Sequence, residues 1–115
     1  MKSARLKRYC YAFAQYLAVY SLCRTILETS IRDICIRKRI IQPNKDKVID
    51  YSKYRIFEDM IYKVSSGNLK NELVGIYKDT SFLIHGHKTI DNKKAREMFK
   101  RTIKAVENLY KSHGY

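Results

Sequence analysis

No glycine or proline occurs before Pro43, and across that stretch apolar residues return at about every 3.5 positions. Leu6, Phe13, Tyr20, Leu27 and Ile34 form one row; Cys10, Leu17, Arg24 and Ile31 form a second. Rows with this spacing keep to one side of a helix, whereas strand alternation would scatter them over two faces. The spacing therefore predicts a helix from about Ser3 to about Arg39, roughly 55 Å long at the usual rise. So long a helix has more apolar stripe than the rest of a 115-residue chain can cover. Either it breaks, near Ser21 or Thr29-Ser30, or part of its stripe packs against a second copy of the chain.

The polar run from Gln42 to Lys47, with Pro43 inside it, cannot continue the helix and reads as a connector. Ile56, Phe57, Met60, Ile61 and Val64 then give a second helix over Tyr54 to Val64. Gly67 is its stop and Asn68 the next N-cap. A third helix is predicted from Leu69 to about His85, burying Leu69, Leu73, Ile76, Thr80 and Leu83 and ending at Gly86. Asp91 caps a last helix that buries Ala95, Phe99, Thr102, Val106 and Leu109. No strand pattern competes. The expected fold is all-α, a bundle of about four helices with one long N-terminal helix, in a single domain over residues 1–115.

The apolar fraction of 45% suits a packed domain, but the net charge of +13 is far from ordinary. A field of that sign attracts polyanions: nucleic acid, an anionic surface or an acidic protein. Cys10, Cys23 and Cys35 are odd in number and lack Cys-x-x-Cys spacing, so buried thiols are expected rather than disulfides or zinc. The basic Met1–Arg8 stretch leads into tyrosine-rich sequence rather than a leader's apolar run, and no segment reads as a membrane span. A cytoplasmic protein with no membrane contact is expected. There is no glycine-rich phosphate loop, no acid/base carboxylate pair and no metal-ligand spacing, so neither cofactor nor metal is expected.

The cations are clustered. Lys93, Lys94, Arg96, Lys100, Arg101 and Lys104 stand on the last helix opposite its apolar stripe, offset only by Glu97. Arg37, Lys38 and Arg39 close the long helix, with Arg32 a turn earlier, and Lys2, Arg5, Lys7 and Arg8 open it. Cations at a helix C-terminus satisfy its dipole, which accounts for the second cluster without a ligand. Phosphate contact is the alternative, with Lys93, Arg96, Lys100, Arg101, Lys104, Arg37, Lys38 and Arg39 as the candidate nucleic-acid-binding residues. Tyr9, Tyr11, Tyr16, Tyr20, Tyr51, Tyr54 and Tyr62 can stack bases or line the edge of a core.

Two polar placements are candidates for chemistry. Arg24 interrupts a core row, where a guanidinium must find a partner; Glu28, one turn on, can pair with it. That pair is either structural or lines a cleft. Lys78, Ser81 and His85 share one stripe of the third helix beside Asp79. His85 can serve as a general acid or base and Lys78 as a cation for phosphate, or His85 simply closes the last turn before Gly86.

A long first helix containing Arg-Thr-Ile-Leu-Glu (Arg24 to Glu28), a polar connector, and a third helix ending Phe-Leu-Ile-His-Gly (Phe82 to Gly86) before a basic last helix resemble the HEPN superfamily. The resemblance runs from about Tyr9 to Tyr110. It implies a helical bundle, often dimeric, of the kind found in toxin–antitoxin, abortive-infection, restriction and CRISPR systems. Many such domains are metal-independent endoribonucleases built on an Arg and a His with four to six residues between them. Here His85 matches the His and Asp79 the polar residue, but Lys78 stands where an Arg would be. Lys keeps the charge and loses the planar fork, so Arg24 would have to supply the guanidinium. The resemblance thus implies a homodimeric RNA-associated module, with a cognate protein partner and with His85, Lys78, Asp79 and Arg24 as candidate catalytic residues. A different class of function, a non-catalytic helical domain for dimerisation and DNA or RNA binding within a larger defence or partition protein, needs only the basic faces.

Overall fold

A computed structural model describes residues 2–40, 54–81 and 91–115, with side chains from 14 in the first stretch and from 57 in the second. It contains four helices: α1 (Lys2–Arg37), α2 (Tyr54–Val64), α3 (Gly67–Ser81) and α4 (Asn92–Ser112). No strand occurs among the described residues, so the chain is all-α as expected.

α1 does not break. Ser21 and Thr25 are accommodated within it, Thr25 Oγ1 donating to the Ser21 carbonyl at 3.0 Å, and without glycine or proline nothing forces a kink. Its 36 residues make about 54 Å of helix, close to the molecule's longest dimension of 57 Å. α4, with 21 residues, spans about 32 Å, and α2 and α3 pack on α1 beside it.

One buried cluster draws on all four helices. Tyr20, Cys23, Leu27, Ile31, Ile34 and Cys35 come from α1; Phe57, Met60, Ile61 and Val64 from α2; Leu73, Ile76 and Tyr77 from α3; Met98, Ala105 and Leu109 from α4. Cys23 and Cys35 are buried free thiols. Burial pushes Cys35 up to about 11. Thr80 and Thr102 are wholly buried, each hydroxyl donating at 2.8 Å to a carbonyl one turn back, which removes the cost of an unpaired polar group.

Three expectations are corrected in detail. α4 buries Ala95, Met98, Thr102, Ala105 and Leu109, whereas Phe99 is 40% exposed and Val106 only partly covered. The helix is rotated so that the small Ala95 and Ala105 face the core, where they allow close approach. Tyr77 joins the core beside Ile76. Asn68 lies inside the first turn of α3 rather than capping it; the turn begins at Gly67, whose left-handed φ of 59° takes the chain out of α2.

Asp91 caps α4 as expected, its Oδ1 accepting from the Lys94 amide at 2.8 Å. The connector at 42–47, the ends at His85 and Gly86, and the side chains of Leu6, Cys10, Phe13, Ile56 and Leu83 lie outside the described residues.

Candidate nucleic-acid interface

The surface of α4 follows from its buried stripe. Residues 95, 98, 102, 105 and 109 face inward, so the 3.6-residue period places Lys93, Lys100, Lys104 and Lys111 on the opposite ridge, with Arg96 beside it. All five are exposed. Lys93, Arg96, Lys100 and Lys104 form no ion pair among the described residues. From Lys93 to Lys111 the ridge runs about 27 Å, long enough to follow several phosphates of one strand. Lys111 escaped the sequence reading, although its seven-residue spacing from Lys104 marks it.

Arg101 is placed differently. It leans off the ridge onto α3, where its Nε donates to Glu72 and its Nη1 donates to Asp79 at 2.7 Å. Burial works against this guanidinium's charge, but the two carboxylates prevail and hold its pKa above the usual value. Glu72 and Asp79 are seven residues apart, two turns along one face of α3, with Gly75 between them. A Cβ on Gly75 would stand 2.7 Å from Arg101 Nη2, so the glycine is what lets the guanidinium lie flat across the helix. Asp79 is therefore a partner of Arg101 in this structure.

The Arg37, Lys38 and Arg39 cluster sits where the C-termini of α1, α2 and α4 meet. Arg37 Nε donates to Asp33 at 3.0 Å, and its guanidinium lies 4.9 Å from the Tyr115 ring centre. Lys38 stands 5.3 Å from the same ring and reaches the His113 carbonyl at 3.5 Å. The His113 ring meets the Val64 carbonyl at the end of α2 at 2.7 Å. Arg39 is exposed, with a left-handed φ of 58°. All three cations thus sit at helix C-termini, which the dipoles favour. Asp33 also accepts from the Tyr110 hydroxyl at 2.7 Å; this bond, followed by Arg37, lowers its pKa below the usual carboxylate value.

α1 packs beside α3 at Arg24. Its Nε donates to Glu28 at 2.9 Å, the ion pair expected from their spacing, and its Nη2 donates to the Tyr77 hydroxyl at 3.0 Å. The guanidinium carbon is 4.4 Å from the centre of the Tyr77 ring, which in turn stacks on Phe57 at 4.5 Å. Nη1 is buried with no hydrogen-bond partner among the described residues. Lys78 is exposed one residue beyond Tyr77, and His85 lies outside the described residues. Tyr77 was missed in the sequence because an apolar stripe of Leu73, Ile76 and Thr80 already accounts for the helix. Its position, four residues after Leu73, is the signal that was available.

A groove of about 620 Å³ opens between α1 and α4. Tyr16, Ala18, Val19 and Leu22 form one wall, Asn92, Ala95 and Phe99 the other, with Arg96 and Lys100 at its edge. Leu22 is 50% exposed and Phe99 40%, unusual for large apolar side chains that face each other across a trough.

No group of three or more His, Cys, Asp or Glu suited to a metal occurs among the described residues, and none of their helices is long and apolar enough to cross a membrane. No protein-family model matches the chain, and no curated protein or solved structure shows significant similarity to it.

Proposed function

We propose that the chain is a HEPN-like nucleic-acid-binding module that engages RNA in preference to DNA through the outward ridge of α4, in the cytoplasm, as part of a host-defence or toxin–antitoxin system. The observation that carries the binding is the ridge itself: Lys93, Arg96, Lys100 and Lys104 are exposed and form no ion pair among the described residues, while Glu72 and Asp79 are occupied by Arg101 and Asp33 by Arg37 and Tyr110. Cations left without carboxylates on one helix face gain by releasing the counterions of a phosphate backbone. RNA, the biological setting and a homodimer formed along α1 rest on the resemblance of the Arg24–Glu28 and Phe82–Gly86 segments.

A second reading, metal-independent RNA cleavage, is favoured by one observation. Arg24 bonds the Tyr77 hydroxyl and keeps Nη1 without a partner among the described residues, so α1 brings a guanidinium to α3 one residue in sequence from Lys78, which stands where the motif has Arg. In this reading a ribose 2′-oxygen attacks the adjacent phosphorus and the 5′-oxygen leaves, giving a 2′,3′-cyclic phosphate and a 5′-hydroxyl. His85 moves the proton, and Lys78 with Arg24 meets the phosphorane charge.

The test is incubation of the protein with end-labelled single-stranded RNA in excess EDTA, with binding followed in parallel. The binding module shifts the RNA and leaves it intact. Cyclic-phosphate products that disappear in His85→Ala and Arg24→Lys would establish the cleavage reading, and absence of any RNA complex would reject both.

A further inference from the structure

Most of the α1–α4 groove's walls are apolar and offer a phosphate backbone little to contact. We propose that it is the docking site for an acidic amphipathic helix of a partner protein. Two helices packed side by side leave a trough between their ridges, and a third helix fills it with apolar anchors at i, i+3 or i+4, and i+7. Tyr16, Val19 and Leu22 repeat every three residues along one wall, and Phe99 faces them from the other. The volume of about 620 Å³ is room for several such anchors.

Charge decides among occupants. Arg96 and Lys100 line the trough, and among the described residues neither forms an ion pair and no acidic side chain lines it. A second copy of this chain seated in the trough would bring the same two cations to the seam, and a two-fold interface sets like patches near one another. A helix with carboxylates flanking its apolar stripe turns both cations into attraction. Arg96 and Lys100 also belong to the α4 ridge, so the bound helix competes with nucleic acid. That competition rests on the binding reading above; the docking does not.

The probe is a synthetic peptide of about five helical turns, with leucine at the anchor spacing and glutamate on the flanks. It is titrated by fluorescence anisotropy without nucleic acid, beside a scrambled peptide of identical composition. The patterned peptide is expected to bind at least about tenfold more tightly than the scrambled one. Leu22→Ser/Phe99→Ser, both on exposed positions, should abolish that preference while the melting curve stays that of the parent. Should that variant fold poorly, Arg96→Glu/Lys100→Glu takes its place and should weaken the patterned peptide about tenfold.

Equal affinity for the two peptides, or a preference that survives these substitutions, would overturn the proposal. So would a dimer, seen by sedimentation, that Leu22→Ser/Phe99→Ser dissociates while the peptide fails to bind, since the groove would then belong to a second copy. In a last arm the patterned peptide is added to the RNA complex. Release of RNA is expected, and RNA retained beside bound peptide would overturn the competition alone.

Discussion

At the scale of single residues, the ends of the long helices show where local rules and tertiary needs part. α1 and α4 close with the same hydrogen-bond pattern. The Ile40 amide donates to the Cys35 carbonyl and Arg39 to Ile36; likewise Tyr115 donates to Tyr110 and Gly114 to Lys111. Gly114 takes the left-handed position freely at φ 82°, but Arg39 takes it with a Cβ, at a cost of about 1 kcal/mol. Arg39→Gly is therefore expected to raise stability by about 1 kcal/mol in urea denaturation. The sequence places the helix end at about Arg39, but with no glycine there it does not show the left-handed turn that makes the stop.

Gly75 is the converse case. A helical glycine replaced by alanine ordinarily gains about 1 kcal/mol, and that gain should appear in an Arg101→Ala background. With Arg101 present, its guanidinium must move and give up a carboxylate, so the gain should shrink by about 0.5–1 kcal/mol in a double-mutant cycle. Asp33 adds a pH dependence. Its folded pKa is lowered, so the stability it contributes is present above the unfolded value and lost as pH falls through the folded one. Tyr110→Phe should destabilise the protein by about 1 kcal/mol at neutral pH, and the difference from the parent should fade below about pH 4.

At the scale of elements, the helices were legible because their stripes are regular. The heptad row of Tyr20, Leu27 and Ile34 is buried as the spacing requires, and α2 has the bounds its apolar pattern gives. Leu27→Ala should cost about 2–5 kcal/mol, because Leu27 is wholly enclosed. The rotation of α4 was not legible. Met98 and Phe99 are adjacent and both apolar, so spacing alone does not decide which of them faces inward; in the fold Met98 is buried and Phe99 is 40% exposed. The Arg24–Glu28 pair was legible from its four-residue spacing, while the Arg24–Tyr77 bond joins residues 53 positions apart and needs the packing of α1 on α3. For the same reason the sequence counted Arg101 among the phosphate ligands: nothing local distinguishes it from Lys100, and its partners lie on another helix.

At the scale of the whole molecule, the charge of +13 is not spread evenly. Packing gives Glu28 to Arg24, Asp33 to Arg37, and Glu72 and Asp79 both to Arg101, and leaves the α4 lysines facing solvent together. An even shell of charge would make the protein soluble, whereas a ridge on which the cations outnumber Glu97 and Glu107 gives it a direction in which to meet a polyanion.

The direct test is the salt dependence of binding to a single-stranded RNA oligonucleotide, comparing the parent with Lys93→Gln/Lys100→Gln/Lys104→Gln. Three lost phosphate contacts should lower the slope of log affinity against log salt by about 2, with the helical content unchanged. An unchanged slope would mean that RNA, if bound at all, is held elsewhere, and would contradict the assignment of the α4 ridge.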